Sequence, residues 1–257
     1  MTYALRDGMI GSQGVIQGGS IVAEYGFWDN LRTEVGEHPL TEHPIYRCIV
    51  DGSLKKETIG ELCAQLRYTV TDGISSLALI IPQVPRPIKK ELAGNLFGEL
   101  HGTRKAPSHW ELALRTGAAA GFTEDELDNR PMLAETKIYP DTVSAYAMRG
   151  QWTEALSFVA IGIEDPFTAF CDGVTKGLKE HYGFSDEQVL YFSVHIDADE
   201  EHAATGWNAA KDYAKTEEQK QSIRRASLEG RNMWWNMYSA VFEKGEGSDC
   251  PRLRLAL

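Results

Sequence analysis

The sequence predicts an all-α protein. Valine and isoleucine recur at helical spacing rather than in the alternation that is typical of half-buried strands, so strand signals are almost absent. Leu62, Leu66, Val70 and Ile74 follow one another at four-residue intervals, which places an apolar stripe along one helix. Prolines and glycines divide the 257 residues into about seven to ten segments of helical length.

Glycine and proline delimit the predicted helices of the N-terminal half. Residues 1–18 are rich in glycine, serine and glutamine and predict a flexible arm. Ser53 is a suitable N-cap, and the prolines from Pro82 onward end the long helix that follows it. The predicted helices of this half cover residues 21–34, 45–50, 55–80, 88–100 and 108–120.

Capping residues and prolines also delimit the C-terminal half. Thr123, followed three residues later by Glu126, predicts a capping box, whereas Pro131 and Pro140 predict a loop. The predicted helices of this half cover residues 142–149, 153–164, 166–181, 185–213 and 217–242.

The composition restricts both the domain organisation and the partners. We expect one helical domain over residues 19–243 and a loose tail over 244–257. The net charge of −11 argues against binding to nucleic acid or to an anionic membrane surface, both of which need a basic face. No apolar run is long enough for a membrane span, so a small molecule is the expected partner.

The cysteines indicate a reducing compartment. No Cys-x-x-Cys pair is present, which argues against zinc ribbons and thioredoxin-type redox motifs. Scattered free thiols and the absence of a secretion signal predict a cytoplasmic protein. The cysteines are Cys48, Cys63, Cys171 and Cys250.

The segment HIDADEEH places three ligand-type residues on one face of a predicted helix. His195, Asp199 and His202 are separated by four and three residues, so at about 100° per residue their side chains share one side. Imidazole and carboxylate are common metal ligands. An acidic solvent-exposed face with two histidines would give the same string, so this pattern alone leaves both interpretations open.

Two further carboxylates suit a metal site. Glu164 ends an almost wholly apolar segment, where a buried carboxylate needs a partner, although a place in the first turn of a helix would also favour it. Glu99 and His109 flank a break that contains glycine and proline and that could fold both inward, and His101 fits as well as His109. Three carboxylates and three imidazoles suit two iron or manganese ions better than one zinc ion.

The order and spacing of these residues resemble the heme-oxygenase-like diiron oxidases and oxygenases, which share a fold superfamily with thiaminase II and pyrroloquinoline-quinone synthase. The resemblance covers roughly residues 38–240 and implies a heme-oxygenase-like helical bundle of about seven core helices. It rests on three motifs: Glu99-x9-His109, Glu164 within Gly-Ile-Glu-Asp-Pro, and His195-x3-Asp199-x2-His202.

The resemblance also implies a chemistry for this site. All six residues would hold two Fe(II) ions that activate O2, with manganese as the alternative metal, and Glu164 would bridge the ions and act in catalysis. The implied reactions are C–C cleavage, desaturation or N-oxygenation of an amino-acid-like or fatty-acid substrate. An external electron donor and a second copy of the chain in a homodimer are further implied partners.

Side chains near these motifs are candidates for the substrate pocket. Plain core packing is the alternative interpretation for each aromatic residue. The candidates are Gln65, Tyr68, Trp110, Phe158, Phe167 and Tyr191.

Two other classes of protein fit the same sequence. Cys171 lies seven residues after Glu164 and would be the nucleophile of a cofactorless, thiaminase-II-like hydrolase, although a buried apolar role is its alternative interpretation. A non-catalytic metal-binding or helical partner protein would use the acidic residues only as ligands or as surface charge.

Overall fold

The computed structural model describes residues 19–102 and 106–247, and every regular element in these two ranges is helical, which confirms the all-α prediction. Two short 3₁₀ turns cover Leu40–Glu42 and Leu77–Ile80. The α-helices are α1 (Gly19–Val35), α2 (Pro44–Val50), α3 (Lys56–Tyr68), α4 (Arg86–His101), α5 (His109–Ala119), α6 (Glu124–Asp128), α7 (Ala134–Met148), α8 (Trp152–Val159), α9 (Asp165–Tyr182), α10 (Leu190–Tyr213) and α11 (Glu217–Glu246).

Two π-helical segments interrupt the α-helices near the centre of the fold. Thr69–Ile74 follows α3, and Ala160–Glu164 joins α8 to α9. The sequence predicted ordinary helix at both places, within 55–80 and 153–164, because a wider turn leaves no mark on apolar periodicity. Such turns are frequent at functional sites.

The loop predicted around Pro140 is wrong, because Pro140 lies inside α7. A proline within a helix removes one backbone hydrogen bond and costs about 3 kcal/mol or more. Tertiary packing offsets this cost, since one face of α7 is buried against α8, α11 and the segment Thr69–Ile74. The buried residues of that face are Thr136, Tyr139, Val143 and Ala147.

The core of the bundle lies between two groups of helices. One group is the continuous helical stretch α8, Ala160–Glu164 and α9, and the other is the pair of long helices α10 and α11. Its largest fully buried side chains include Phe158, Phe170, Tyr238 and Phe242. Helix α3 adds a further apolar face to this core, while α1 packs Leu31 and neighbouring residues over α10 and α11 in a second cluster.

The C-terminal helix extends beyond its predicted end. Helix α11 continues to Glu246, whose carboxylate accepts hydrogen bonds from the Thr58 hydroxyl at 2.6 Å and from the Lys55 amide at 3.0 Å. The predicted tail therefore begins three residues too early. The predicted arm, residues 1–18, and the last part of the predicted tail, residues 248–257, lie outside the described residues.

Caps fix several helix boundaries as the sequence predicted. The Thr123 side chain accepts from the Glu126 amide, and the Glu126 carboxylate accepts from the Thr123 amide at 2.8 Å, so the predicted capping box is confirmed. Although α11 has 30 residues, neither it nor any other described helix has an apolar stretch that would cross a membrane.

Candidate metal centre

The structure brings the six predicted ligand residues together as two neighbouring triads. In each triad the ligand atoms lie within 4.8 Å of one another. Five of the six residues are at least nine-tenths buried, and His202 is half-buried. The first triad is Glu99, His109 and His195, and the second is Glu164, Asp199 and His202.

Two residues of the first triad come from the facing ends of α4 and α5. Glu99 lies in the last turn of α4 and His109 is the first residue of α5, and His109 Nδ1 lies 2.6 Å from Glu99 Oε2. Gly102 ends α4 with a φ of 76°, and a β-carbon there would lie 2.6 Å from the backbone of Pro107. The structure thus places His109 at the cluster, whereas His101 is exposed.

A capping box orients the start of α5. Ser108 is the N-cap residue, its amide donates to Glu111 at 3.0 Å, and its hydroxyl also contacts that carboxylate. Because this box fixes the first turn of α5, it also fixes the direction in which His109 leaves the backbone.

The second triad depends on the π-helical segment Ala160–Glu164. Gly162 crosses α11 so closely that a β-carbon there would lie 2.4 Å from the backbone oxygen of Ser227. The next helix is fixed by Asp165, which accepts a 3.0 Å hydrogen bond from the Trp207 indole of α10. These contacts hold Glu164 with its carboxylate next to Asp199 and His202.

Helix α10 carries the remaining residues of the two triads on one face, and this shared face agrees with their spacing. His195, Asp199 and His202 all take part in the triads. His195 Nδ1 lies 2.6 Å from the carbonyl oxygen of Tyr191, so Nδ1 carries the proton and Nε2 is free to ligate. The rings of His109 and His195 are in contact, with centroids 4.4 Å apart.

The electrostatics of the cluster favour a bound cation. Burial alone would lower the pKa of His202, but the carboxylates of Glu164 and Asp199 raise it to about 11. Burial would raise the pKa of Glu99, and its hydrogen bond and charge interaction with His109 lower it instead. Burial, together with the charge of Glu164, raises the pKa of Asp199, so ionisation of this carboxyl group needs a positive charge beside it. A proton on His202 supplies positive charge in the metal-free protein, and a metal would replace it.

The donor atoms are also geometrically available to a metal. Asp199 Oδ2 is buried and has no hydrogen-bond partner among the described residues. His202 Nδ1 lies 3.6 Å from Glu164 and 3.7 Å from Asp199, which is too far for a hydrogen bond to either. Buried polar atoms without partners are costly, so the donor set fits iron ligation better than a purely structural ion cluster.

Two cavities meet at the triads. The outer cavity has a volume of about 630 Å³ and is lined by Glu99, His109, Glu164 and His202, by the glycines of α4 and by aliphatic residues of α8. The inner cavity has a volume of about 30 Å³ and also contacts Glu99 and Glu164. The other residues that line the inner cavity are Thr69, Val70, Ile74, Tyr139, Ile163, Phe167, Tyr191, His195, Asp199 and Trp234.

Of the six residues predicted to contact substrate, only Phe167 and Tyr191 line a cavity next to the ligands. Gln65 is buried elsewhere, where its amide bonds to Glu61, Thr136 and nearby backbone groups. The Tyr68 hydroxyl donates to the carbonyl oxygen of Arg130.

The remaining two of the six candidates, Trp110 and Phe158, have packing roles. Trp110 packs against core residues, and Phe158 contacts the Tyr139 ring with centroids 6.0 Å apart. Neither residue lines the outer or the inner cavity. Packing therefore explains Trp110 and Phe158, as internal hydrogen bonds explain Gln65 and Tyr68. The structure gives no support to substrate contact by any of these four residues.

Sequence reasoning missed Tyr139 and the aliphatic wall of the outer cavity. Tyr139 lies in the stretch interpreted as a loop because of Pro140, so its burial was not expected. Leu156 and Val159 belong to the apolar run before Glu164, where periodicity could not separate cavity-lining from core positions. One feature of the sequence indicated that α4 borders the outer cavity, namely the helical glycines Gly94 and Gly98.

The bundle and its two buried triads define a class of protein: a heme-oxygenase-like helical fold that carries a metal-type donor set. The chain belongs to the family of iron-containing redox enzymes, whose family model matches residues 62–235. It is therefore an oxidoreductase, and the resemblance noted from the motifs is confirmed.

Individual proteins support this assignment. The chain is 23% identical over 215 residues to a 4-aminobenzoate synthase of Nitrosomonas europaea, covering 79% of this chain and 86% of that protein. It is 25% identical over 230 residues to a 4-aminobenzoate synthase of Chlamydia pneumoniae, covering 86% and 96%. A Shewanella denitrificans domain of unknown function with a heme oxygenase-like fold superposes with a TM-score of 0.65 at 16% identity, covering 92% of this chain and 98% of that domain.

Proposed function

We propose that the chain is a dioxygen-dependent diiron oxidoreductase that acts on a small molecule held in the outer cavity. The observation that carries the proposal is the pair of buried triads, which present three carboxylates and three imidazoles around one point of the bundle. Two iron ions bound there would supply the electrons that activate dioxygen. Manganese suits the same donor set and is an alternative metal.

Each of the two triads would hold one of the metal ions. Glu99, His109 and His195 would hold one ion, and Glu164, Asp199 and His202 the other. Glu164 contacts both cavities and is the proposed bridging and catalytic carboxylate. Asp199 and His195 are buried, so charge interactions at this end of the site are weakly screened by solvent.

The outer cavity favours a small substrate that carries an amine. Its volume of about 630 Å³ lies within the usual range for small-molecule sites. Leu156 and Val159 provide an apolar wall, while Glu91 and Glu201 provide negative charge. No lysine or arginine is found among the described residues that line it, so an amine suits it better than a fatty-acid carboxylate.

The names of the relatives agree with such a substrate. Both are 4-aminobenzoate synthases, so amine-bearing aromatic chemistry occurs in proteins that are similar along most of this chain. We propose a small amino-acid-like or aminoaromatic substrate, with C–C cleavage, desaturation or N-oxygenation as the outcome of its oxidation.

Anaerobic titration with Fe(II), followed by rapid mixing with dioxygen, tests the proposal. We expect about two irons per chain and a transient visible absorbance in the wild type, and about one iron per chain with no transient absorbance in His202→Ala. His181→Ala, which removes an exposed histidine in the last turn of α9 that belongs to neither triad, is the matched control and should behave as wild type. Iron binding that is absent, or that does not respond to His202→Ala, would overturn the diiron assignment.

The hydrolase alternative has weaker support. Cys171 is fully buried, and burial, with the nearby charge of Asp199, raises the pKa of its thiol well above the usual value. A nucleophilic cysteine needs a lowered pKa and access to substrate, and Cys171 lines neither cavity. Full activity in Cys171→Ala would exclude this alternative.

A further inference from the structure

The inner cavity is a second binding feature beside the ligand triads. We propose that it binds one water-sized oxygen ligand, either water or dioxygen, and that Tyr139 is the hydrogen-bond donor to this ligand. The inference that water binds there depends only on the inner cavity and the polar groups that line it. The inference that dioxygen binds there rests on the proposed diiron function.

The size of the inner cavity sets the size of its ligand. Its volume of about 30 Å³ is enough for a molecule of one or two heavy atoms and far too small for the proposed substrate. Four of the six triad residues line it, so a ligand there would contact the metal ligands directly. The outer cavity, about 630 Å³, remains for the substrate.

Tyr139 supplies the polar group that a small oxygen ligand needs. Its side chain is buried, and its hydroxyl has no hydrogen-bond partner among the described residues. A phenol that is buried without a partner loses its hydrogen bonds to water and gains nothing in return, so such groups call for an explanation. Burial, together with the charges of Glu164 and Glu99, raises the pKa of Tyr139 well above its usual value, so the hydroxyl keeps its proton.

The Tyr139 ring is held in one place. A β-carbon at Gly73 would lie 2.5 Å from the ring, so the ring packs on bare backbone of the π-helical segment Thr69–Ile74. The rings of Phe158 and Trp234 pack against it with centroid distances of 6.0 and 6.4 Å. Because the ring is enclosed on several sides, the side chain cannot change its position to bring the hydroxyl to another hydrogen-bond partner.

Asp199 provides the matching acceptor. Asp199 lines the same cavity, and its buried Oδ2 atom also lacks a hydrogen-bond partner among the described residues. A water molecule accepts one hydrogen bond and donates another, so one water would satisfy both Tyr139 and Asp199. Dioxygen can only accept, and would therefore use Tyr139 alone.

Tyr139→Phe tests the donor without removing the ring, and Tyr238→Phe is its matched control. Tyr238 is equally buried and packs on the same Trp234 ring, but it does not line the inner cavity. In the metal-free protein we expect Tyr139→Phe to lower Tm by about 2–4 °C, because a bound water loses its donor, while Tyr238→Phe leaves Tm unchanged or raises it.

The dioxygen part is tested with nitric oxide, a small diatomic probe of Fe(II). If dioxygen uses the inner cavity, Tyr139→Phe should weaken nitric oxide binding by about two- to tenfold, and Tyr238→Phe should leave it unchanged. A lower Tm with unchanged nitric oxide affinity assigns the cavity to water alone. If Tyr139→Phe behaves as Tyr238→Phe in both measurements, the inference is wrong.

This design separates the inference from the proposed function. A wild-type protein that binds no iron would overturn the diiron function, and the Tm comparison would still decide whether the cavity holds water. Conversely, a wild type with two irons and indistinguishable tyrosine variants would retain the diiron function and remove the role of Tyr139.

Discussion

The Trp207 indole donates a 3.0 Å hydrogen bond to Asp165, the residue that directly follows Glu164. It ties α10, which carries three of the six ligand residues, to the start of the helix after the π-helical segment. Trp207 also packs in the cluster beneath α1. One side chain therefore connects the α1 surface to the position of the proposed bridging carboxylate.

Trp207→Phe should weaken iron binding while leaving the fold intact. Phenylalanine keeps most of the buried ring surface but cannot donate to Asp165, so Glu164 is held less firmly. Loss of a group that orients a metal ligand commonly costs about 10- to 100-fold in metal affinity. Competition with a coloured Fe(II) chelator would measure the change.

Trp28→Phe is the matched control for this change. Trp28 is buried in the same cluster, and its indole nitrogen has no hydrogen-bond partner among the described residues. We expect similar losses of stability in the two variants but an unchanged iron affinity in Trp28→Phe. Equal iron affinities in the two variants would contradict a positioning role for Trp207.

His109→Ala and His101→Ala should differ sharply in metal stoichiometry. His109 lies in the first triad, whereas His101 is exposed and contacts Phe97, with ring centroids 4.9 Å apart. We expect about one iron per chain in His109→Ala and about two in His101→Ala, measured by metal analysis after anaerobic loading. Full loading of both variants would remove His109 from the proposed ligand set.

The sequence predicted the ligands that share one helix better than those that do not. Helical periodicity alone puts His195, Asp199 and His202 on one face of α10. The choice of His109 over His101 depends instead on the turn at Gly102, whose φ of 76° and close contact with Pro107 are tertiary features. Local pattern therefore left that choice open.

The π-helical segments and the burial of Tyr139 could not be predicted from the sequence, for a related reason. The segment Ala160–Glu164 has the same apolar composition as an ordinary buried helix, and its wider turn accompanies the crossing of Gly162 over α11. Tyr139 lies beside a proline that usually ends helices, and only packing on neighbouring helices keeps Pro140 inside α7. Both features depend on contacts between segments distant in sequence.

Gly162→Ala should destabilise the protein, because the π-helical segment crosses α11 at two facing glycines. A β-carbon at Gly162 would lie 2.4 Å from the backbone of Ser227, and one at Gly230 would lie 2.1 Å from the backbone of Phe158. Backbone must shift to admit the methyl group, so we expect a loss of about 1–3 kcal/mol in the free energy of unfolding. Chemical denaturation of the metal-free protein would measure it.

Gly94→Ala is the control, since it makes the same chemical change in a helix interior with open space around it. A β-carbon at Gly94 would meet nothing within 4 Å, so alanine should stabilise α4 by about 0.5–1 kcal/mol. Opposite signs for the two variants would support the close crossing. A neutral or stabilising Gly162→Ala would show that the crossing has more room than the structure gives it.

His43 should make the stability of the fold depend on pH. The imidazole is buried, its Nδ1 accepts from the Ile45 amide at 3.1 Å, and its Nε2 lies 3.0 Å from the Ser239 hydroxyl. The ring is therefore neutral with its proton on Nε2, and burial lowers its pKa from 6.5 to about 3. Below pH 6.5 the unfolded chain takes up a proton at His43 that the folded protein takes up only near pH 3.

This difference contributes stability that is fully present above pH 6.5 and is lost as the pH falls from 6.5 towards 3. At up to about 1.4 kcal/mol per pH unit, the loss between pH 7.5 and pH 5 amounts to about 2 kcal/mol. His43→Asn keeps an acceptor at the start of α2 but cannot titrate, so its free energy of unfolding should fall by about 2 kcal/mol less over that range. His38→Asn changes an exposed histidine that also precedes a proline, and it should keep the wild-type pH dependence. If His43→Asn and the wild type lose stability in parallel, His43 is not the titrating group.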